Sequence, residues 1–217
     1  TANLSAVGGL INFAQTGGQA LIVTSAKTDN ANDGAVSISN AGGNITVGDA
    51  WAGDAGTLAI TTTTSGNILD DGDAGTTYLR GSSITLTTAG TDIGATSVSA
   101  TIPVGYLDVH AGASLSLGGT PTGAYLNLVG AGAAVQSSGI AALPGSLTSV
   151  GIGVANQAFN LNSNIFGGGT LANLTVYATS IGLNLDTAGQ QEVNVTGTAN
   201  LIALTGGITD LSDTNAA

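Results

Sequence analysis

Cysteine and methionine are absent, and basic side chains nearly so: Lys27 and Arg80 stand against 13 acidic residues, for a net charge of −11 over 217 residues. Without cysteine there are no disulfides, no thiol catalysis and no thiolate metal sites. Two cations are too few to neutralise a row of phosphates or an anionic membrane surface, so nucleic acid and anionic lipid are poor partners. No apolar run approaches the ~18 residues a membrane span requires, which argues against membrane insertion. Neither an initiating Met nor an Arg/Lys-led apolar leader opens the chain. Both absences point to a segment or processed product of a longer exoprotein, read as a single domain over residues 1–217 because no shift in composition divides it.

Charged residues make up 7% of the sequence, against about 25% in an ordinary soluble domain. What fills the chain instead is Ala, Val, Ile and Leu dispersed among Gly, Ser, Thr and Asn, a composition that folds around a thin aliphatic core. The 35 glycines all but exclude helices, because Gly costs a helix interior about 1 kcal/mol against Ala and Asn, Asp, Ser and Thr favour caps and turns. Short alternating segments are abundant, among them Ala35-Val36-Ser37-Ile38, Asn44-Ile45-Thr46-Val47, Ser83-Ile84-Thr85-Leu86-Thr87 and Tyr106-Leu107-Asp108-Val109-His110. Each directs aliphatic side chains to one face and small polar ones to the other, as a half-buried strand does.

A polar or Gly residue followed by Ile recurs at Ile45, Ile68, Ile93, Ile140, Ile165 and Ile208, spaced 23, 25, 47, 25 and 43 residues apart. The long intervals are near twice the short ones, with unmarked repeats expected near Leu115 and Leu185. A period of roughly 23 residues signals a solenoid, and predicts an all-β fold: a single-stranded parallel β-helix of about nine coils. Asn44, Asn67 and Asn164 precede marker isoleucines and suit either an amide ladder along the axis or plain solvated turns. The competing architecture is an antiparallel β-sandwich, disfavoured by the single Trp and the lack of charged outward faces.

Gly66-Asn67-Ile68-Leu69-Asp70-Asp71-Gly72-Asp73, then Ile84-Thr85-Leu86-Thr87-Thr88-Ala89-Gly90-Thr91-Asp92-Ile93-Gly94 and Leu107-Asp108-Val109, with an echo at Leu185-Asp186-Thr187-Ala188-Gly189, resemble the shaft repeats of filamentous haemagglutinin-like, two-partner-secreted adhesins. The resemblance covers about half the chain. It implies a long right-handed β-helix exported to the bacterial surface, where such proteins mediate attachment. The family's secretion signature contains Asn-Pro, whereas Pro103, Pro121 and Pro144 here follow Ile, Thr and Leu, so no translocation role carries over.

Candidate sites are sparse. Asp70, Asp71 and Asp73 form the densest acidic cluster, and hard cations such as calcium take several carboxylate oxygens; turn-forming Asp-Gly with solvated carboxylates is the alternative. Asp29, Asp33, Asp49 and Asp54 read as solubility charges. His110 shares a strand face with Asp108 and Tyr106, and Ser114 and Ser116 follow, yet no nucleophile-elbow pattern supports a triad. Trp51, beside Asp49 and Asp54, either stacks on a sugar or covers a gap in the core. The Thr61 to Thr64 and Thr85 to Thr88 runs would form an ice-binding array only if repeated coil after coil.

The sequence therefore predicts a structural, adhesive rod at the bacterial cell surface or in the extracellular space. Its expected partner is a glycan or protein of a host or neighbouring cell. A self-associating matrix, surface-layer or filament subunit is the second expectation. A β-helical polysaccharide-active enzyme is third, and disfavoured because Lys27 and Arg80 lie about fifty positions and roughly two coils apart. No catalytic residue and no cofactor other than calcium is expected.

Overall fold

The computed structural model describes the chain except residues 8, 29–33, 74–77, 97–100, 131–133, 137–138, 142, 162–170, 184–194 and 211–217. Ile165 and Leu185, the proposed Asn164 ladder position, Asp29 and Asp33 lie outside the described residues. The strands run in chain order as β1 (Ala2–Ala6), β2 (Leu10–Gln15), β3 (Leu21–Thr28), β4 (Ala35–Asn40), β5 (Ile45–Trp51) and β6 (Thr57–Thr62). They continue as β7 (Ile68–Asp70), β8 (Leu79–Thr88), β9 (Asp92–Ile93), β10 (Leu107–Gly119), β11 (Gly123–Leu128) and β12 (Ala134–Gln136). The last are β13 (Ser149–Val154), β14 (Ala158–Leu161), β15 (Leu171–Ala178), β16 (Ile181–Leu183), β17 (Val195–Ala203) and β18 (Ile208–Asp210).

Every pairing between these strands is parallel. That excludes the antiparallel sandwich. One ladder stacks the odd-numbered strands from β1 to β17, and a second stacks β2, β4, β6, β8 and β10. Strands β12, β14, β16 and β18 form a further sheet. The fold is a β-solenoid of parallel rungs, held by hydrogen bonds between successive turns at about 4.8 Å.

The solenoid has about seven turns rather than nine. One column of register partners runs Leu21, Ile45, Ile68, Ile93, Ala124, Val150, Leu174, Ala199. Seven steps take it from position 21 to position 199, about 25 residues each. The first three marker isoleucines share this column, but Ile140 bridges to Leu115 in the Val36, Leu58, Ile84 column, and Ile208 partners Ile181. Isoleucine thus marks an inward strand position without distinguishing one column from another.

The period is broken by the 31-residue step from Ile93 to Ala124. Within it, Ile102 and Tyr106 cross the outer face of the sheet. A Cβ at Gly151 would lie 2.1 Å from the Tyr106 hydroxyl, and one at Gly153 would lie 2.6 Å from Ile102. The Tyr106 ring packs 5.8 Å from Tyr125 and edge-on at 6.1 Å from Tyr177. Strand β13 is therefore covered on both faces, with Gly151 and Gly153 as buried as Val150, Ile152 and Val154.

At the corner after the second ladder the inward residues are polar: Asn40, Thr62 and Thr88, all buried. Their partners are the turns they close. Asn40 Nδ2 donates to the carbonyls of Gln19 at 2.9 Å and Gly43 at 3.1 Å; the Thr62 and Thr88 hydroxyls donate to Gly66 O at 2.7 and 2.8 Å. The turn backbone is held tightly at Gly66, whose φ is +103° and whose Cβ, if present, would sit 2.0 Å from the Gly43 carbonyl. Beside it an amide ladder forms: Asn44 Oδ1 accepts the Asn67 N–H at 2.9 Å, and Asn67 Oδ1 accepts that of Thr91 at 2.9 Å. Replacing the fully buried Asn40 by Ala removes the donor from two part-buried turn carbonyls and is expected to cost about 1 kcal/mol, measurable as a lower urea midpoint at unchanged m-value.

Candidate functional site

Lys27 pairs in register with Trp51, Trp51 with Arg80, and Arg80 with His110. These are the chain's single lysine, tryptophan, arginine and histidine. Four successive rungs thus place every basic and every indole side chain in one column, spanning roughly 14 Å at the parallel-strand spacing. The two cations are two rungs apart, as their spacing predicts, and strand register sets them in a shared column. The signal was present only as register. Lys27 to Trp51 is 24 residues and Trp51 to Arg80 is 29, so a fixed period of 23 misaligns them.

Each member of the column has a defined neighbour. Lys27 forms an ion pair with Asp49. The Arg80 guanidinium lies 5.3 Å from the centre of the Trp51 ring, a cation–π contact that holds its fork in place. Beyond it, Asp54, Arg80, Gly81, His110 and Gly112 line an open cleft of about 290 Å³. Burial lowers the His110 pKa, the Arg80 charge adds to the fall, and Asp54 opposes it. The imidazole is therefore neutral at pH 7, with one nitrogen to donate and one to accept. Asp54, read from sequence as a solubility charge, is the acidic wall of this cleft, and Asp49 is the lysine's partner. A Cβ at Gly81 would lie 3.2 Å from the Gly56 carbonyl and one at Gly112 3.4 Å from Ser82 Cα, so the floor of the cleft is close-packed backbone.

The remaining sequence candidates are dispersed. Asp108 accepts a short hydrogen bond from Asn127 Nδ2, Ser114 Oγ lies 3.0 Å from Ser83 Oγ, and Tyr106 joins the tyrosine cluster. Asp108 and Ser114 are therefore bonded to Asn127 and Ser83 and not to His110. Thr85 and Thr87 face Ala59 and Thr61 on one side and Ser116 and Gly118 on the other, so the threonine array does not continue.

The acidic cluster is also reorganised. Asp70 Oδ2 accepts the Gly72 N–H at 2.8 Å, and Asp71 Oδ1 accepts that of Asp73 at 3.3 Å, both turn-closing bonds. Burial raises the Asp70 pKa to about 7, with the charges of Asp108, Asp71 and Asp73 adding to it against the Gly72 bond. Burial likewise raises Asp108 to about 6; the Asn127 bond opposes the rise, while Asp73 and Asp71 reinforce it. Among the described residues no three acidic or imidazole side chains are disposed to hold a metal ion.

The sequence matches no family model, and it matches neither a curated protein nor a solved structure. The stacked parallel rungs are compatible with a β-helical repeat protein, which is the part of the haemagglutinin-like resemblance that the fold supports.

Proposed function

We propose that this β-helical rod is an adhesive module of a bacterial cell-surface or secreted exoprotein, and that its ligand is a glycan of a host or neighbouring cell, bound at the Lys27, Trp51, Arg80, His110 column. The observation that carries this reading is the convergence of the chain's single Lys, Trp, Arg and His on one column of register partners. Sugar hydroxyls and carboxylates are met by a guanidinium fork, a neutral imidazole and a carboxylate placed around one open cleft. Repetition of the rod would multiply weak contacts of this kind into useful avidity.

The test is binding of the purified protein to a glycan array and to intact cells, with turnover assayed on the same glycans. Arg80→Ala is expected to reduce glycan binding at least tenfold at unchanged circular dichroism, with no glycan degraded by either protein. Equal binding by wild type and variant, or release of shortened glycan, overturns the reading.

The second reading is self-association into filaments. It is favoured by Leu10 and Ile208, exposed at 63% and 47% on the terminal rungs, and by strands β1 and β2, each paired on one side only among the described residues. An unpaired edge of this kind recruits further strands. Fibres that grow with protein concentration under the electron microscope are its expected result; a monodisperse monomer at all concentrations eliminates it.

A further inference from the structure

The two basic side chains of the column differ in what they meet. Lys27 is neutralised by Asp49. Arg80 is half-buried, and among the described residues its side chain meets the Trp51 ring and no carboxylate, in a chain with 13 acidic residues. A guanidinium presents five donors and no acceptor, in a flat fork that matches a carboxylate through two parallel bonds. The contact with Trp51 holds the group while leaving those donors unused.

The rest of the cleft is in the same condition. His110 and Asp54 line it beside Arg80, and neither makes a side-chain hydrogen bond to another described residue. A cation, a neutral imidazole and a carboxylate thus surround about 290 Å³ with their bonding capacity open. That volume is close to the ~300 Å³ lower end of small-molecule sites, which suits one sugar ring and not an extended chain.

The chemistry of the ligand follows from what each group lacks. Arg80 lacks a planar anion. Asp54 lacks a hydrogen-bond donor, and an anion that brought none would face its charge unrelieved. His110 can accept from one hydroxyl or donate to another. Phosphate meets only the first of these needs, and as a dianion it is repelled more strongly by Asp54 and by a chain of net charge −11. A sugar acid meets all three, with a singly charged carboxylate beside ring hydroxyls.

We propose that the cleft selects acidic sugars, a hexuronic or sialic acid residue of a cell-surface glycan, whose carboxylate pairs with the Arg80 fork while its hydroxyls bond Asp54 and His110. The proposal rests on the glycan reading above and narrows it: Arg80 sets specificity, and a neutral sugar keeps the weaker contacts but loses the strongest.

Isothermal titration of the intact chain against two matched pairs is the test: trigalacturonate with its methyl ester, and sialyllactose with lactose. One of the two acids is expected to bind at least tenfold more tightly than its neutral counterpart, and the pair that shows the difference identifies the sugar acid. In Arg80→Gln both members of that pair are expected to bind alike. In Arg80→Lys, which keeps the charge and gives up the fork, the preference is expected to fall at least threefold. Equal binding of acid and neutral sugar by the wild type overturns the selectivity and leaves the glycan reading standing; that comparison requires no variant to fold. A preference that Arg80→Gln retains in full, at the wild-type melting temperature, also overturns it. Failure of all four ligands to bind overturns the selectivity as well, and the glycan array then decides the wider reading on its own.

Discussion

Replacing Asp70 by valine is expected to raise the urea midpoint of the chelator-treated protein at pH 8 by the equivalent of about 1 to 2 kcal/mol. Asp70 occupies the register position of Val47, itself the partner of Val23, in a column that is otherwise buried and aliphatic. A carboxylate there loses solvation and faces Asp71, Asp73 and Asp108, which is why its pKa rises to about 7 from an ordinary 3.8. The sign of the pH dependence follows. Because the folded state binds the proton more tightly than the unfolded chain, the group's stabilising contribution is complete below about pH 4. It is lost as the pH rises through 7. Wild type should therefore gain stability between pH 8 and pH 5. Asp70→Val and Asp70→Asn should flatten most of that gain, leaving the smaller part due to Asp108, whose pKa is raised to about 6 in the same sense. A wild-type midpoint that falls steadily on acidification over this range would contradict the argument.

The position of Asp70 shows where sequence could and could not be read. Alternation identified the strands, because Ile45, Val47, Leu58, Ile60, Ile84 and Leu86 each lie two residues from another inward aliphatic and are buried as that spacing requires. The number of turns was overestimated because the long step between Ile93 and Ala124 carries the same glycine and small-residue composition as the rungs, and only tertiary packing reveals that Ile102 and Tyr106 leave the stack. The candidate site was hidden for a related reason. Lys27, Trp51, Arg80 and His110 are separated by intervals of 24, 29 and 30 residues, and their alignment depends on bends within β8 and β10. Those strands run through a corner, so that Leu79 and Val109 continue the column of Ala50 while Ile84 and Leu115 continue that of Leu58. Asn127 carried no signal at all in sequence, being one Asn among many until register set it against Asp108.

Tyr106→Ala is the most damaging single change expected on the outer face, at about 3 kcal/mol. Tyr106 is 3% exposed and stands over Gly151 with Tyr125 and Tyr177 around it, so truncation empties the space that a glycine backbone was needed to create. Near-UV circular dichroism in the tyrosine band should collapse with it while the far-UV strand signal persists, since the rungs beneath keep their own hydrogen bonds. The sharper test is the pair with Gly151→Ala. In wild type an added Cβ would lie 2.1 Å from the Tyr106 hydroxyl and 2.5 Å from its ring carbon, so the ring must move and the substitution destabilises. In the Tyr106→Ala background the nearest obstacle is gone, a 2.9 Å approach to Tyr125 Cδ1 is left for that ring to relieve, and the same methyl fills part of the vacated space. The two changes should therefore be less than additive by about 1 to 2 kcal/mol, the coupling expected of side chains in direct contact. Strict additivity would mean that the covering segment does not rest on Gly151.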